Sequence, residues 1–145
     1  MGRYHPWRDL RDNHPEIDVD RSWNLPGDFK ALWINNCIYL HRELKQAGRR
    51  CQLTHELIHR SRGPSPVDDP WLEGKEERIV RHLTARRLIS IDDFIDAYVW
   101  SGQTIGTECA MELWVDLSTL RDYVEALTPA ERIYIHKCLR ERDHP

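Results

Sequence analysis

The stretch CQLTHELIH, Cys51–His59, combines an apolar helical pattern with three polar residues in the order His-Glu-x-x-His. Small and apolar residues recur through it at helical spacing, which predicts a helix from about Glu43 to about Arg60. Leu53 and Leu57 lie on a second side of that helix. We therefore expect the helix to be buried over much of its circumference.

The two histidines of this stretch are spaced to bind one metal ion. On a helix, His55 and His59 point only ~40° apart, one turn above the other. Both imidazoles can then reach one ion at the ~2.0–2.1 Å bond length that zinc requires. Glu56 projects about 100° from His55, so it lies beside the ion without binding it, where a general base is needed. The alternative is that the two histidines only pair with carboxylates.

A catalytic zinc site also needs a third protein ligand, and leaves one position open for water. The next helical pattern runs from about Glu73 to Leu88 and offers Glu73, Glu76 and Glu77. We expect its inward face to carry the residues Ile79, Val80, Leu83, Thr84 and Leu88. On that face Glu76 lies nearer the centre of the apolar stripe and Glu77 nearer its edge. Periodicity therefore leaves the third ligand open.

The segment before the metal-binding pattern is β-prone. Apolar residues at alternate positions within Ile17–Trp23 predict a strand, and Pro26-Gly27 ends it. Two further β-prone runs, 29–34 and 37–40, flank Asn35-Asn36. Asparagine tolerates the positive φ of tight turns, so these runs predict a hairpin.

The segment after Leu88 is predicted to be helical. Ser90 has the features of an N-cap for a helix that ends near Ser101-Gly102. Two more helices are expected over 106–114 and 118–127. Thr128-Pro129-Ala130-Glu131 is a capping box that opens the last helix.

Composition limits the class of protein. A chain of 145 residues is the usual size of one domain, and no apolar run approaches the length of a membrane span. A formal net charge of −3 disfavours a general nucleic-acid binder, because phosphates require clustered positive charge. The four cysteines form no C-x-x-C pair, and the N-terminus has no signal-peptide pattern. We expect a cytoplasmic protein with reduced thiols.

Residues 48–59 resemble the signature of the ImmA/IrrE family of metallo-endopeptidases. Members carry an arginine and an aromatic residue or cysteine shortly before a T-L-x-H-E-x-x-H helix. After a loop they continue into a helix patterned E-x-x-A-N-x-F-A-A-x-L-L-x-P. Aligning Leu88-Ile89-Ser90 with the end of that pattern places Glu77 on the glutamate that binds zinc in the family. Arg81 and Ser90 depart from the family's usual Asn and Pro.

The resemblance spans about Leu25 to Arg132 and is closest to short versions from phages and prophages. It implies an α+β, zincin-like minimal metallopeptidase with a small sheet packed on the H-E-x-x-H helix. Residues 1–90 would form the metallopeptidase core. Residues 91–145 would form a helical segment packed on that core, within one compact domain.

The resemblance also implies a function. It predicts a zinc-dependent endopeptidase with His55, His59 and Glu77 as zinc ligands and Glu56 as the catalytic residue. The implied partner is a protein substrate, such as the DNA-binding repressor of a phage or other mobile element. The alternative is a non-catalytic zinc-containing module that regulates or binds a protein.

A helix-turn-helix-like pattern, which the family often shows, occupies residues 110–121. A helix that reads DNA should present basic and amide side chains. Here Arg121 is offset by Asp122 and Glu125. The segment therefore predicts packing or protein contact, and not direct nucleic-acid binding.

Overall fold

The strands lie near the N-terminus, and every later element is helical. The computed structural model describes residues 3–64, 66 and 68–143. Within them the chain has the α+β composition that the sequence predicts. In chain order the elements are α1 Pro6–Asn13, β1 Asp18–Asp20, β2 Ala31–Ile34, β3 Cys37–Leu40, α2 Gln46–Arg62, α3 Pro70–Leu88, α4 Ile91–Trp100, α5 Thr107–Glu112, α6 Leu117–Ala126 and α7 Pro129–Asp143.

The predicted hairpin is confirmed. Strands β2 and β3 pair antiparallel, with Ala31 opposite Leu40 and Ile34 opposite Cys37. Asn35 in the turn has a φ of 56°, in the left-handed region that asparagine tolerates. Strand β1 joins the other side of β3 in parallel, so the strand order is β1-β3-β2.

Strand β1 is shorter than the predicted run from Ile17 to Trp23. The side chain of Asp20 accepts hydrogen bonds from the Ser22 amide at 2.9 Å and from Trp23 Nε1 at 3.0 Å. Such local carboxylate bonds turn the backbone away from the ladder. The strand therefore ends at Asp20.

Helix α2 lies between two groups of buried apolar side chains. Leu53 and Leu57 pack with Ile38 and Leu40 of β3, under the sheet. Cys51 instead belongs to a larger cluster formed mainly by the helices after α2. The expectation that α2 is buried over much of its circumference is thus confirmed. This placement fixes the direction in which its polar residues project.

Helix α3 begins three residues earlier than predicted. Asp69 caps it by accepting hydrogen bonds from the amides of Trp71 at 2.9 Å and Leu72 at 3.3 Å, and Pro70 occupies the first turn. Two residues of the preceding loop, Ser65 and Val67, lie outside the described residues.

The prediction that Leu83 faces inward is wrong. The buried stripe of α3 consists of Val80, Thr84, Ala85 and Leu88, whereas Leu83 is 39% exposed. On a helical projection Leu83 lies about 120° from the centre of that stripe. It therefore points away from α2 and α6, against which α3 packs.

This difference predicts opposite outcomes for two leucines of one helix. Leu88→Ala is expected to lower the free energy of unfolding by about 2–5 kcal/mol, since it leaves a cavity in the core. Leu83→Ala serves as the matched control and is expected to cost no more than about 0.5 kcal/mol. Urea unfolding followed by circular dichroism measures both. Equal destabilisation of the two variants would contradict the burial of α3 described above.

The later helices follow their predicted positions. The Ser90 hydroxyl accepts a hydrogen bond from the Asp93 amide at 3.2 Å, which confirms the N-cap of α4. Helices α5 and α6 contribute Cys109, Ala110 and Tyr123 to the larger apolar cluster. The helix-turn-helix-like segment therefore has the predicted packing role, whereas the absence of DNA binding stays a prediction.

All four cysteines are free, as expected from their spacing. Cys51 and Cys109 are buried, but Cys37 and Cys138 are only partly buried. Burial raises the pKa of the Cys51 thiol to about 11, which keeps it protonated. Among the helices of the described residues, none is both long enough and apolar enough to span a membrane.

The capping box before α7 is confirmed and ties that helix to α3. The Glu131 amide donates to the Thr128 hydroxyl at 3.1 Å, and the Thr128 amide donates to Glu131 Oε1 at 2.9 Å. Arg86 of α3 donates to both oxygens of the Glu131 carboxylate, at 2.8 and 2.9 Å. Arg86 and, to a smaller extent, the Thr128 amide lower the pKa of Glu131 to about 2.

The Glu131 carboxylate should therefore make stability depend on pH. Because its folded pKa lies below its ordinary value of 4.5, its contribution is present above pH 4.5 and is lost as the pH falls towards about 2. Glu131→Gln should be less stable than the parent at pH 7, and the difference should shrink below pH 4.5. Urea unfolding of both proteins between pH 7 and pH 3 measures this. A difference that grew with falling pH would contradict the prediction.

Candidate metal centre

His55, His59 and Glu77 converge between α2 and α3. The Nε2 atom of His55 lies 2.9 Å from Glu77 Oε1, and that of His59 lies 2.9 Å from Glu77 Oε2. The two imidazole centroids are 4.8 Å apart. One ligand atom from each of the three residues lies within 4.8 Å of the others, so the cluster could hold a metal ion.

The elements explain why these side chains meet. His55 and His59 are one helical turn apart and project from the same side of α2, between its two apolar contacts. Glu77 projects from α3 in nearly the same direction as the buried stripe of that helix, which packs on α2. Packing of α3 on α2 therefore brings the Glu77 carboxylate next to the imidazoles of His55 and His59.

The carboxylate and the imidazoles perturb one another's titration. The two hydrogen bonds from His55 and His59 hold the pKa of Glu77 well below its usual range. The hydrogen bond that His59 donates to Glu77 raises the pKa of His59, against the opposing effect of burial. The Glu77 side chain remains 40% exposed, so the cluster is open to solvent on one side.

The other glutamates of α3 do not join the cluster. Glu76 forms a bidentate ion pair with Arg62 at the end of α2. Arg62 Nε donates to Glu76 Oε1, and Arg62 Nη2 donates to Glu76 Oε2 at 2.9 Å. Glu73 is exposed in the first turn of α3. Of the three candidates that periodicity left open, Glu77 is the one that the fold brings to the histidines. This is the position that the resemblance implied.

Glu56 lies next to the cluster and is partly buried. Burial raises the pKa of its carboxyl, while the charges of His55 and His59 act in the opposite direction. The nearby Trp33 side chain of β2 also lowers the pKa of Glu56, to a smaller extent than the two histidines do. Glu56 is therefore placed beside the three converging groups without being one of them.

Cavities flank the cluster on two sides. One, of about 250 Å³, is lined by Trp33, His59, Arg60 and Gly63. The other, of about 220 Å³, is lined by nine residues including His55, Glu77 and Asp122. The cluster therefore borders open space both past His59 and past His55.

Sequence reasoning missed the residues that complete these walls. Trp33 lies in the predicted hairpin, but nothing in its local pattern associates it with Glu56. In the sequence Asp122 counts only as a charge that opposes DNA binding, whereas in the structure its carboxyl lies 3.7 Å from Arg81 of α3. Burial raises the pKa of Asp122, against the charge of Arg81. Both contacts join elements that are distant in the sequence.

The arrangement offers two imidazole nitrogens and a carboxylate to one ion, with a further carboxylate beside it. This donor set suits a divalent transition metal. No protein-family model matches the chain, and neither does any curated protein or any solved structure.

Proposed function

We propose that this protein is a zinc-dependent endopeptidase with a zincin-like minimal fold. His55, His59 and Glu77 would hold the metal, and Glu56 would act as the general base. One observation carries the proposal: two imidazoles and a carboxylate from consecutive helices meet within 4.8 Å of one another. The H-E-x-x-H order places Glu56 beside that point.

The ligand set favours zinc, since two histidines and one glutamate leave a position for water or substrate in a catalytic zinc site. A structural zinc site would instead be closed by four protein ligands. The part of the chain that the structure describes offers three such groups at this point, and Glu77 is accessible to solvent. When bound, zinc would supply Lewis acidity to the scissile carbonyl.

The remaining chemistry belongs to Glu56. Its carboxylate would accept a proton from the attacking water and return it to the amine nitrogen of the leaving group. The Trp33 side chain of β2 lies near this carboxylate and would limit its orientation. A base that is held in place before the substrate arrives loses less freedom during the reaction.

The sheet offers a place for the substrate backbone. Strand β2 is at the edge of the sheet, with one side paired to β3. Trp33 of this strand lines a cavity together with His59. A substrate segment that extends along β2 as an added strand would pass beside the metal ligands. Backbone hydrogen bonds would then hold it without requiring a specific sequence.

The likeness to the ImmA/IrrE family supports a protein substrate, and we propose a DNA-binding repressor of a mobile element as the first candidate. The test is incubation of the zinc-loaded protein with a repressor encoded beside it. Mass spectrometry should detect two fragments that a chelator suppresses and added zinc restores. No zinc-dependent fragment from any neighbouring repressor would refute this choice of substrate.

A non-catalytic module is the second candidate. It is favoured by the direct contacts of 2.9 Å, which already give each imidazole a partner within the fold. Such a protein could bind zinc and act by contacting another protein. Equimolar zinc without hydrolysis of any candidate, and unchanged biological activity in Glu56→Gln, would favour it over the peptidase.

A further inference from the structure

A third cavity lies away from the metal centre, where α1, the start of α2 and the turn after α5 meet. Its volume is about 640 Å³, within the range of small-molecule sites. Its walls combine aromatic and basic side chains, among them His5, Trp7, Lys45, Arg50 and Trp114. It shares no lining residue with the metal cluster or with the two cavities beside it.

Arg50 is a buried cation in the wall of this cavity. It is 6% exposed and donates to the carbonyl oxygens of Trp114 at 3.0 Å and Tyr4 at 2.9 Å. Within residues 3–64, 66 and 68–143, no carboxylate lies within ion-pair distance of it, and its Nε has no acceptor. Buried arginines are normally paired with a negative charge. The missing charge points to an anion from outside the chain.

The same wall contains the positive end of a long helix. Lys45 is the N-cap residue of α2, its side chain makes no capping hydrogen bond, and the first turn contains no acidic residue. Lys45, Gln46 and Ala47 all line the cavity. The uncapped amides and the helix dipole both favour an anion at this end. The helix terminus and the buried Arg50 are independent features of one cavity.

Two tryptophan side chains also line the cavity. Trp7 is 39% exposed and Trp114 is 49% exposed. Trp114 has a φ of 60°, a conformation that bulky residues rarely adopt, and Arg50 binds its carbonyl oxygen. The Arg3 guanidinium stacks on the Trp114 indole, 4.0 Å from the ring centroid. A strained backbone that is held by such contacts is typical of binding sites.

We propose that this cavity binds a small organic anion that has a flat apolar body and one carboxylate or phosphate group. The anionic group would lie at the start of α2, near Lys45 and Arg50, and the apolar body would contact Trp7 and Trp114. Size, charge and aromatic lining agree on this class of ligand. The site is independent of the proposed peptidase activity.

The experiment titrates the full chain with three probes in a calorimeter: naphthoate, naphthyl phosphate and the uncharged naphthylmethanol. At least one anion should bind with 1:1 stoichiometry, more weakly at higher salt, and more tightly than the alcohol. Comparison of the two anions tells which acidic group the site prefers. Absence of binding by both anions at millimolar concentration, or equal binding of the alcohol, would overturn the proposal.

Single substitutions test whether the probe binds in this cavity. Lys45→Ala should weaken anion binding by about threefold or more, since it removes one charge at the helix terminus. Trp7→Ala should weaken it by about threefold or more through lost aromatic contact. Lys137→Ala and Trp100→Ala, which change exposed residues of α7 and α4, are the matched controls and should bind as the parent does. Unchanged affinity in both cavity variants would overturn the proposal. A dimer that forms through the cavity face and that naphthoate does not dissociate would also overturn it.

Discussion

Glu77→Ala is expected to lose zinc, whereas Glu76→Ala is expected to retain it. Both residues lie on α3 and have the same charge, but only Glu77 contacts His55 and His59, at 2.9 Å each. Loss of a partner outside the ligand shell already costs about 10–100-fold in metal affinity, so loss of a ligand should cost more than about 100-fold. Elemental analysis of the purified proteins and zinc titration of the stripped forms measure the effect.

The neighbouring glutamate makes this a controlled comparison. Glu76 pairs with Arg62 on the surface, and such exposed pairs contribute about 0–1 kcal/mol to stability. Glu76→Ala should therefore remain folded and bind one zinc ion. Equal zinc content in the two variants would refute Glu77 as a ligand. Zinc loss in Glu76→Ala alone would assign the ligand to Glu76.

Glu56→Gln is expected to bind zinc normally and to hydrolyse no substrate at a measurable rate. The amide has nearly the same size as the carboxylate, but it cannot take a proton from water. Loss of a general base typically costs about 10²–10⁴-fold in rate. The measurement is fragment formation from the cleaved repressor, with zinc content determined on the same sample.

A control variant on α3 tests whether activity is lost because the base is removed or only because a negative charge is removed. Glu73→Gln changes an exposed glutamate of α3 and removes the same formal charge. It should cleave at the parent rate. Full activity in Glu56→Gln would exclude the proposed base, even if the metal centre were correct.

Local signals explain what the sequence predicted well. The Asn35 turn, the Ser90 cap and the Thr128–Glu131 capping box depend on side chains within a few residues of the backbone groups that they satisfy. The His55–His59 spacing likewise follows from helix geometry alone. Such features survive folding because no distant contact is needed to create them.

The glutamate that joins the two histidines shows why periodicity left the choice between Glu76 and Glu77 open. Including Leu83 in the inward face of α3 rotated the expected centre of that face towards Glu76. The residues that are buried are Val80, Thr84, Ala85 and Leu88, and the centre of their stripe lies in nearly the direction of Glu77. A single apolar residue on the outside of a helix was enough to change the interpretation. The resemblance to a family implied Glu77 by a different route, because it depends on aligned sequence positions and not on the faces of a helix.

Contacts between residues that are distant in the sequence could not be predicted from the sequence. Trp33 and Glu56, Arg81 and Asp122, and Arg50 and Trp114 each join separate elements. No spacing rule relates such pairs, since their distance depends on how helices and sheet pack. The aromatic and basic cavity at the start of α2 was invisible for the same reason.

The position of α2 has a consequence for how metal could be acquired. Its apolar contacts on two sides, with the sheet through Leu53 and with the helical cluster through Cys51, fix His55 and His59 without help from an ion. Small zinc fingers, by contrast, remain unfolded until the metal arrives. This scaffold should therefore be a stable apoprotein that can bind the metal ion after folding, release it and bind it again. Supply of the cation could then switch activity while the protein stays folded.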